Sequence, residues 1–315
     1  MVYCLLLSLH IGKVWAVLTD ALLTISHHLR KSFNAGMKSY IVQLQFSAAF
    51  DRVSHSGLLF KLKSIDVGGS VLSICTEFLS DRRQRAVVDG AASEWIPIIS
   101  SVPQGSVLGP LLFILYASQM FNLVENRLFA YADDSTLLVV VRKPADRPAV
   151  AASRNRNLAG IQERCNHWCM ILKPNKIKGL VVTRSRTVSL PHGDLVLSGV
   201  TIRASPNLDI LGVKFGSKLT VEDDARGIVS RVSLRIDILR LVKRVFVDTS
   251  VLLRCYFAFV LPILEYCSPV WRSVAECHLQ LLEHQVYLVA RLCPDQSFLS
   301  LCHRRRAAGL SMLYN

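Results

Sequence analysis

The sequence predicts an α+β fold in two parts, a sheet-bearing region over residues 1–217 and a helical region over residues 218–315. Three observations carry this reading. Apolar runs with strand character recur at Ser39–Phe46, Phe129–Val141 and Gly179–Thr183, and segments with apolar residues at helical spacing lie between them. From Val221 onward the pattern is predominantly helical. A chain of 315 residues that is 51% hydrophobic and 19% charged also has ample material for a large core.

In chain order, Leu18 to Phe33 repeats apolar residues through Leu22, Leu23, Ile25 and Leu29, which predicts a helix ended by Asn34-Ala35-Gly36. Ser39 to Phe46 is largely apolar, as a central strand is, and Ser47 to His55 opens a helix. Leu58–Ile65 and Val71–Leu79 are helical in pattern. The second runs into Asp81-Arg82-Arg83-Gln84-Arg85, which reads equally as a solvated charge run or a phosphate contact. Ala86–Val88 and Trp95–Ile99 flank Asp89-Gly90 as the arms of a hairpin. The turn-rich Ser100–Pro110 then leads into a helix at Leu111–Met120; Gly105 lets the backbone approach a ligand, and Gln104 both donates and accepts.

The next segment organises the chain. In Phe129-Ala130-Tyr131-Ala132-Asp133-Asp134-Ser135-Thr136-Leu137-Leu138 an apolar run breaks at two adjacent carboxylates and resumes, which predicts a hairpin with Asp133 and Asp134 at its tip. Adjacent like charges repel, so a divalent cation suits them as a partner; a solvated Asp-Asp turn is the plainer alternative. Arg142 to Arg156 is basic, with Pro144 and Pro148 marking a connection before a helix at Val150–Met170. Lys173 to Lys178 forms a basic turn, and Arg184 and Arg186 extend it. Few aromatic residues accompany these charges, which favours contact with phosphates over base stacking. Leu195–Leu197, Val200–Arg203 and Leu208–Phe215 read as strands of a small sheet, and Ala225–Val245, Ser250–Leu264 and Val274–Arg291 as helices.

The formal net charge of +14 and a pI near 9.6 call for a polyanionic partner, either nucleic acid or an anionic membrane surface. Nine cysteines without regular spacing indicate reduced thiols in an intracellular compartment. Cys165 and Cys169 flank His167, but no second ligand pair follows at zinc-finger spacing, and Cys293 and Cys302-His303 lack it too. Val2–Leu9 has no basic flank or small-residue cleavage site, which argues against secretion. Cys255–Leu264 is too short to span a bilayer and reads as a buried helix.

Six segments in this order resemble the reverse transcriptase of non-LTR retrotransposons, most closely the jockey-like elements. They are Leu44–Val53 (LQFSAAFDRV), Val102–Pro110 (VPQGSVLGP), Tyr131–Asp134 (YADD), Lys173–Lys176 (KPNK), Leu211–Val213 (LGV) and Glu265–Trp271 (EYCSPVW). The resemblance implies a right-hand polymerase, with partial fingers and palm in residues 1–217 and a helical thumb and C-terminal region in 218–315. It implies RNA-directed DNA synthesis on an RNA template and DNA primer from deoxynucleoside triphosphates. Mg2+, or Mn2+ in its place, would be the cofactor, the location nucleus or cytoplasm, and no membrane is involved.

By resemblance Asp133 and Asp134 are metal ligands and catalytic, Lys176 assists the leaving pyrophosphate, and Phe50 is a steric gate against a 2′-hydroxyl, with a packed core phenylalanine as the alternative. Pro103, Gln104 and Gly105 contact the nascent base pair. The sequence departs from the family at Gln45, which occupies the expected position of the first catalytic aspartate, at Ser101 in place of glycine, and at Lys173 in place of asparagine. His10 to Thr19 matches the fingers motif poorly, and the chain reads as a shortened, altered copy of an element with impaired activity. The alternatives are a catalytically inactive nucleic-acid-binding remnant and a reading frame that yields no stable protein.

Overall fold

The computed structural model describes residues 3–4, 14–118, 126–185, 195–197, 200–202, 204–219, 222–245, 248–268, 270 and 276–311. In chain order its elements begin with β1 (Tyr3–Cys4), α1 (Val14–Asn34), β2 (Lys38–Leu44), α2 (His55–Ser64) and α3 (Gly69–Leu79). The short strands β3 (Arg83–Gln84), β4 (Val87–Val88), β5 (Ala91–Ala92) and β6 (Ile96–Pro97) follow, then α4 (Leu108–Ala117), β7 (Arg127–Tyr131), β8 (Asp134–Val141), α5 (Arg147–His167) and β9 (Lys178–Val182). Two strand pairs, β10 (Leu195–Leu197) with β11 (Val200–Ile202) and β12 (Asn207–Ile210) with β13 (Val213–Gly216), precede the helices. These are α6 (Glu222–Val245), α7 (Thr249–Cys255), α8 (Leu261–Glu265), α9 (Glu276–Ala290) and α10 (Leu301–Ser311).

One compact unit comprises the described residues of 1–9, 37–181 and 186–205; the other comprises those of 10–36, 182–185 and 206–315. The second unit thus takes in α1 and the β12–β13 hairpin along with the C-terminal helices. The first is built on a five-stranded sheet in the order β1-β7-β8-β2-β9. Antiparallel pairing of β2 with β8 runs from Lys38–Val141 to Leu44–Ser135. Tyr40, Val42 and Leu44 share the main core with Leu58, Leu112, Phe113, Leu158 and Ile161, which come from α2, α4 and α5. Ile41 and Leu138 are buried as well, so both sheet faces are covered, which explains why these strands read as continuous apolar runs.

In the second unit α6 turns Ala225, Ile228, Val232, Ile236 and Leu239 toward Tyr256, Val260, Leu264, Leu282, Val286 and Val289. The spacing of three and four residues is that of one helical stripe.

Several local expectations are corrected. Ser47 to His55 does not open a helix directly: a single 3-10 turn at Phe50–Arg52 comes first, and α2 starts only after Ser54, whose extended backbone lets its Oγ accept from the Gly57 amide as an N-cap. Leu208–Phe215 is a hairpin, because Leu211 and Gly212 both have positive φ (47° and 77°) and reverse the chain. The 83–97 hairpin pairs Val87 with Ala92 but Arg83 with Pro97, so its second strand carries one extra residue, a bulge that twists the arm. Between α7 and α8 the backbone widens to a π-turn at Tyr256–Val260; Pro262 has no amide hydrogen for the carbonyl four residues back, which breaks the α register there. Most of Val2–Leu9, and also Gln119, Met120, Arg186, Arg203 and Trp271, lie outside the described residues.

Candidate active site

β7 and β8 are joined by Ala132 and Asp133, since Tyr131 pairs with Asp134. Ala132 holds a φ of 51°, the left-handed conformation that a two-residue hairpin turn demands and that an alanine adopts at some strain. Asp133 is therefore exposed in the turn, and Asp134 is half-buried as the first residue of β8. Burial, and then the neighbouring Asp133 charge, push the Asp134 carboxyl above the usual carboxylate range.

Continuing the β2–β8 ladder one step past Leu44–Ser135 sets Gln45 opposite Asp134. On its other side the Gln45 carbonyl accepts from the Lys173 amide at 2.9 Å, Phe46 bridges Leu172, and the Ser47 amide donates to the Ile171 carbonyl at 2.7 Å. These bonds bring the Pro174–Lys176 turn alongside the end of β2, with Lys173 half-buried and Lys176 exposed. Among the described residues no three His, Cys, Asp or Glu side chains converge, so the tip offers the carboxylates of Asp133 and Asp134 without a third. Two neighbouring carboxylates, one of them with its pKa pushed up by burial and then by the charge of the other, fit a divalent cation with oxygen ligation.

A second cluster starts at Phe50. Its ring stacks on Phe113 with centroids 4.4 Å apart, and its carbonyl accepts from the Val102 amide at 3.0 Å. The loop before α4 is then tied down residue by residue. Ser100 Oγ donates to the Asp51 carbonyl at 3.0 Å, the Ser101 amide to the Val53 carbonyl at 2.8 Å, and Gln104 Nε2 to Asp51 Oδ1 at 3.1 Å. His55 Nε2 lies 2.8 Å from the Ser101 carbonyl, which makes it the donor. Ser106 Oγ donates to the Pro103 carbonyl at 2.6 Å and accepts from the Gly109 amide at 2.9 Å, closing the start of α4. A Cβ on Gly109 would sit 2.5 Å from the Pro103 carbonyl oxygen, so only glycine admits this approach. Pro103 is half-buried while Gln104 and Gly105 face solvent.

The fold thus brings Gln45, Asp133, Asp134 and the Lys173–Lys176 turn into one group, and Phe50 with Pro103, Gln104 and Gly105 into another, linked by residues 46–50. Sequence reasoning missed the residues that hold the second group. Asp51 and Ser106 lie inside the segments that carry the resemblance and His55 just after the first, but none was assigned this bracing part, although Ser106 three residues before Gly109 has the spacing of a helix cap. Of the basic residues between Arg142 and Arg184, Arg142, Lys143, Arg156, Lys176, Lys178 and Arg184 are exposed. Arg154 is the correction: it is 2% exposed, with its guanidinium 5.6 Å from the Tyr40 ring centroid, and belongs to the interior. Among the described residues no helix is long and apolar enough to cross a membrane.

Residues 10–215 match the family profile of reverse transcriptase (RNA-dependent DNA polymerase). The RNA-directed DNA polymerase from mobile element jockey of Drosophila melanogaster is 30% identical over 75% of this chain and 26% of its own length. The probable RNA-directed DNA polymerase from transposon BS of the same species is 26% identical over 86% of this chain and 31% of its own length. The chain thus spans under a third of the length of these relatives. Among solved structures, apo telomerase from Candida tropicalis superposes with a TM-score of 0.50 at 12% identity, over 94% of this chain and 48% of that one. That likeness shows the fold, the right-hand polymerase architecture expected from the sequence. With a family match over residues 10–215, the chain belongs to the reverse transcriptase family.

Proposed function

We propose that this chain is the polymerase portion of a jockey-like non-LTR retrotransposon protein and acts as an RNA-directed DNA polymerase, with turnover impaired by Gln45. The observation that carries the reading is the carboxylate pair at the β7–β8 tip, within the segment that matches the family. Asp133 and Asp134 would hold Mg2+ or Mn2+, whose charge, when bound, stabilises the oxygens of phosphoryl transfer. Phe50, whose ring stacks on Phe113, would act as the gate against a ribose 2′-hydroxyl. Pro103, Gln104 and Gly105 present the surface for the nascent base pair, and Asp51 fixes the Gln104 amide. Lys176 supplies positive charge to the leaving pyrophosphate from a turn anchored on the Gln45 carbonyl. RNA template, DNA primer and deoxynucleoside triphosphates are the partners this reading requires.

Gln45 favours a second reading, a remnant that binds nucleic acid without turnover, because a neutral amide neither neutralises nor bridges cations as a carboxylate does. Primer extension on primed RNA with Mg2+ separates the two. Nucleotide addition that Asp133→Ala abolishes supports the polymerase; binding of the primed duplex with no addition, even from Gln45→Asp protein, leaves the remnant.

A further inference from the structure

Helix α6 has a second apolar stripe that its own unit does not cover. Opposite the buried series from Ala225 to Leu239, it exposes Leu234 (66%), Ile238 (53%), Leu241 (57%) and Val245 (75%). Their spacing of four, three and four residues is that of alternating core positions in a coiled coil, and side chains so placed form one seam along a helix. Exposed leucines scattered singly need no explanation, but four in register on one helix mark an interaction face.

The charges beside the seam specify the occupant. We propose that α6 pairs antiparallel with α6 of a second copy of this chain. With Leu234 packed against Val245 of the other copy and Ile238 against Leu241, two-fold symmetry repeats both layers. On one flank this register sets Asp237 beside Arg244 of the other copy, and the symmetry makes two such opposite-charge pairs. A parallel arrangement pairs Asp237 with Val242 and offers no charge pair, so the antiparallel form is the one the sequence complements. Both flanking residues are accessible: Asp237 is 60% exposed at its side chain and Arg244 is exposed. Asp237 Oδ1 already accepts from Arg240 one turn along, leaving Oδ2 for a partner. On the opposite flank Arg235 is occupied with the Phe259 carbonyl, so the Asp237–Arg244 edge sets the register. The seam is short compared with a standard interface of ~800 Å2 per partner, so the dimer is weak, with dissociation in the micromolar range.

Sedimentation equilibrium of the whole chain, free of nucleic acid and run across the micromolar range, tests the proposal. The expected result is a monomer–dimer equilibrium that Ile238→Asp abolishes. Asp237→Arg and Arg244→Asp should each weaken it about tenfold, since two symmetry-related pairs turn repulsive, and the combined variant should restore it. These substitutions lie on the solvent face, and far-UV circular dichroism reports whether each variant keeps its helices. A monomer at every concentration overturns the proposal, as does a combined variant that associates no better than the single ones. If the protein stays monomeric and Ile238→Asp instead weakens binding of a primed duplex, the face belongs to nucleic acid and the proposal falls.

Discussion

Leu44 pairs with Ser135 at the end of the β2–β8 ladder, and the same register carried one step further sets Gln45 opposite Asp134. Replacing the Gln45 amide by a carboxylate therefore adds a third negative charge to a site where two already repel. Gln45→Asp should melt at a lower temperature than the unmodified protein in EDTA and gain more from Mg2+, because cation binding to the native state stabilises it. It should also raise Mg2+-dependent primer extension. Thermal melts with and without Mg2+, alongside an extension assay, check both. If the unmodified protein extends a primer at a rate that Gln45→Asp does not improve, while Asp133→Ala abolishes it, Gln45 does not hold the first carboxylate position.

The Asp134 carboxyl is raised by burial and by the Asp133 charge. A carboxylate with a folded pKa above its unfolded one destabilises the fold when ionised, and that penalty is lifted as pH falls through the folded value. Asp134→Asn in EDTA should accordingly melt at a higher temperature than the unmodified protein at pH 7, with the difference shrinking as pH falls into the carboxylate range. A difference that grows on acidification would show that Asp134 is stabilised as an anion.

Ser101 has a φ of 97°, a conformation that glycine adopts freely and a serine does not, and glycine is what the resemblance implies at this position. Relief of such strain is worth about 1–3 kcal/mol, partly offset by the greater freedom of glycine in the unfolded chain. Ser101→Gly should stabilise the protein by about 1 kcal/mol in urea melts, whereas Ser101→Ala should not.

Two glycines on helices give opposite expectations. Gly109→Ala drives a Cβ to 2.5 Å from the Pro103 carbonyl oxygen, a clash with backbone that should cost about 1–3 kcal/mol and displace the Pro103–Gly105 loop. Gly160 in α5 has open space around its Cβ position, and Gly160→Ala should stabilise by about 0.5–1 kcal/mol. Paired urea melts read both signs.

The hairpin tip was legible because an apolar run broken at two carboxylates has few foldings, and β2 was legible because both its faces are buried. Backbone dihedrals were less so: nothing in the order of residues announces that Ala132 takes positive φ, since alanine ordinarily avoids it, and for Ser101 the one sign is the glycine that the resemblance implies in its place. Leu208–Phe215 passed for one strand because Leu211 carries no turn signal, and the reversal rests on Gly212. Arg154 could have been found. It falls with Ala151, Leu158, Ile161 and Cys165 on the helical stripe that α5 buries, a pattern hidden by reading the stretch for charge alone.

That burial separates Arg154 from its basic neighbours in a binding experiment. Nucleic-acid affinity that rests on phosphate contacts falls linearly in log–log form with salt, with a slope proportional to the number of phosphates neutralised. Unmodified protein on primed RNA should show a steep slope with little sequence preference. Arg156→Ala and Lys176→Ala, which remove exposed charges, should each reduce that slope by about 1. Arg154→Met should leave the slope unchanged, because its guanidinium is packed over Tyr40 and does not reach solvent. A parallel titration with vesicles of anionic lipid distinguishes nucleic acid from a membrane surface as the polyanion preferred. An affinity flat across salt would remove phosphate contact as the basis of binding, and a slope lowered by Arg154→Met would place that residue at the surface in solution.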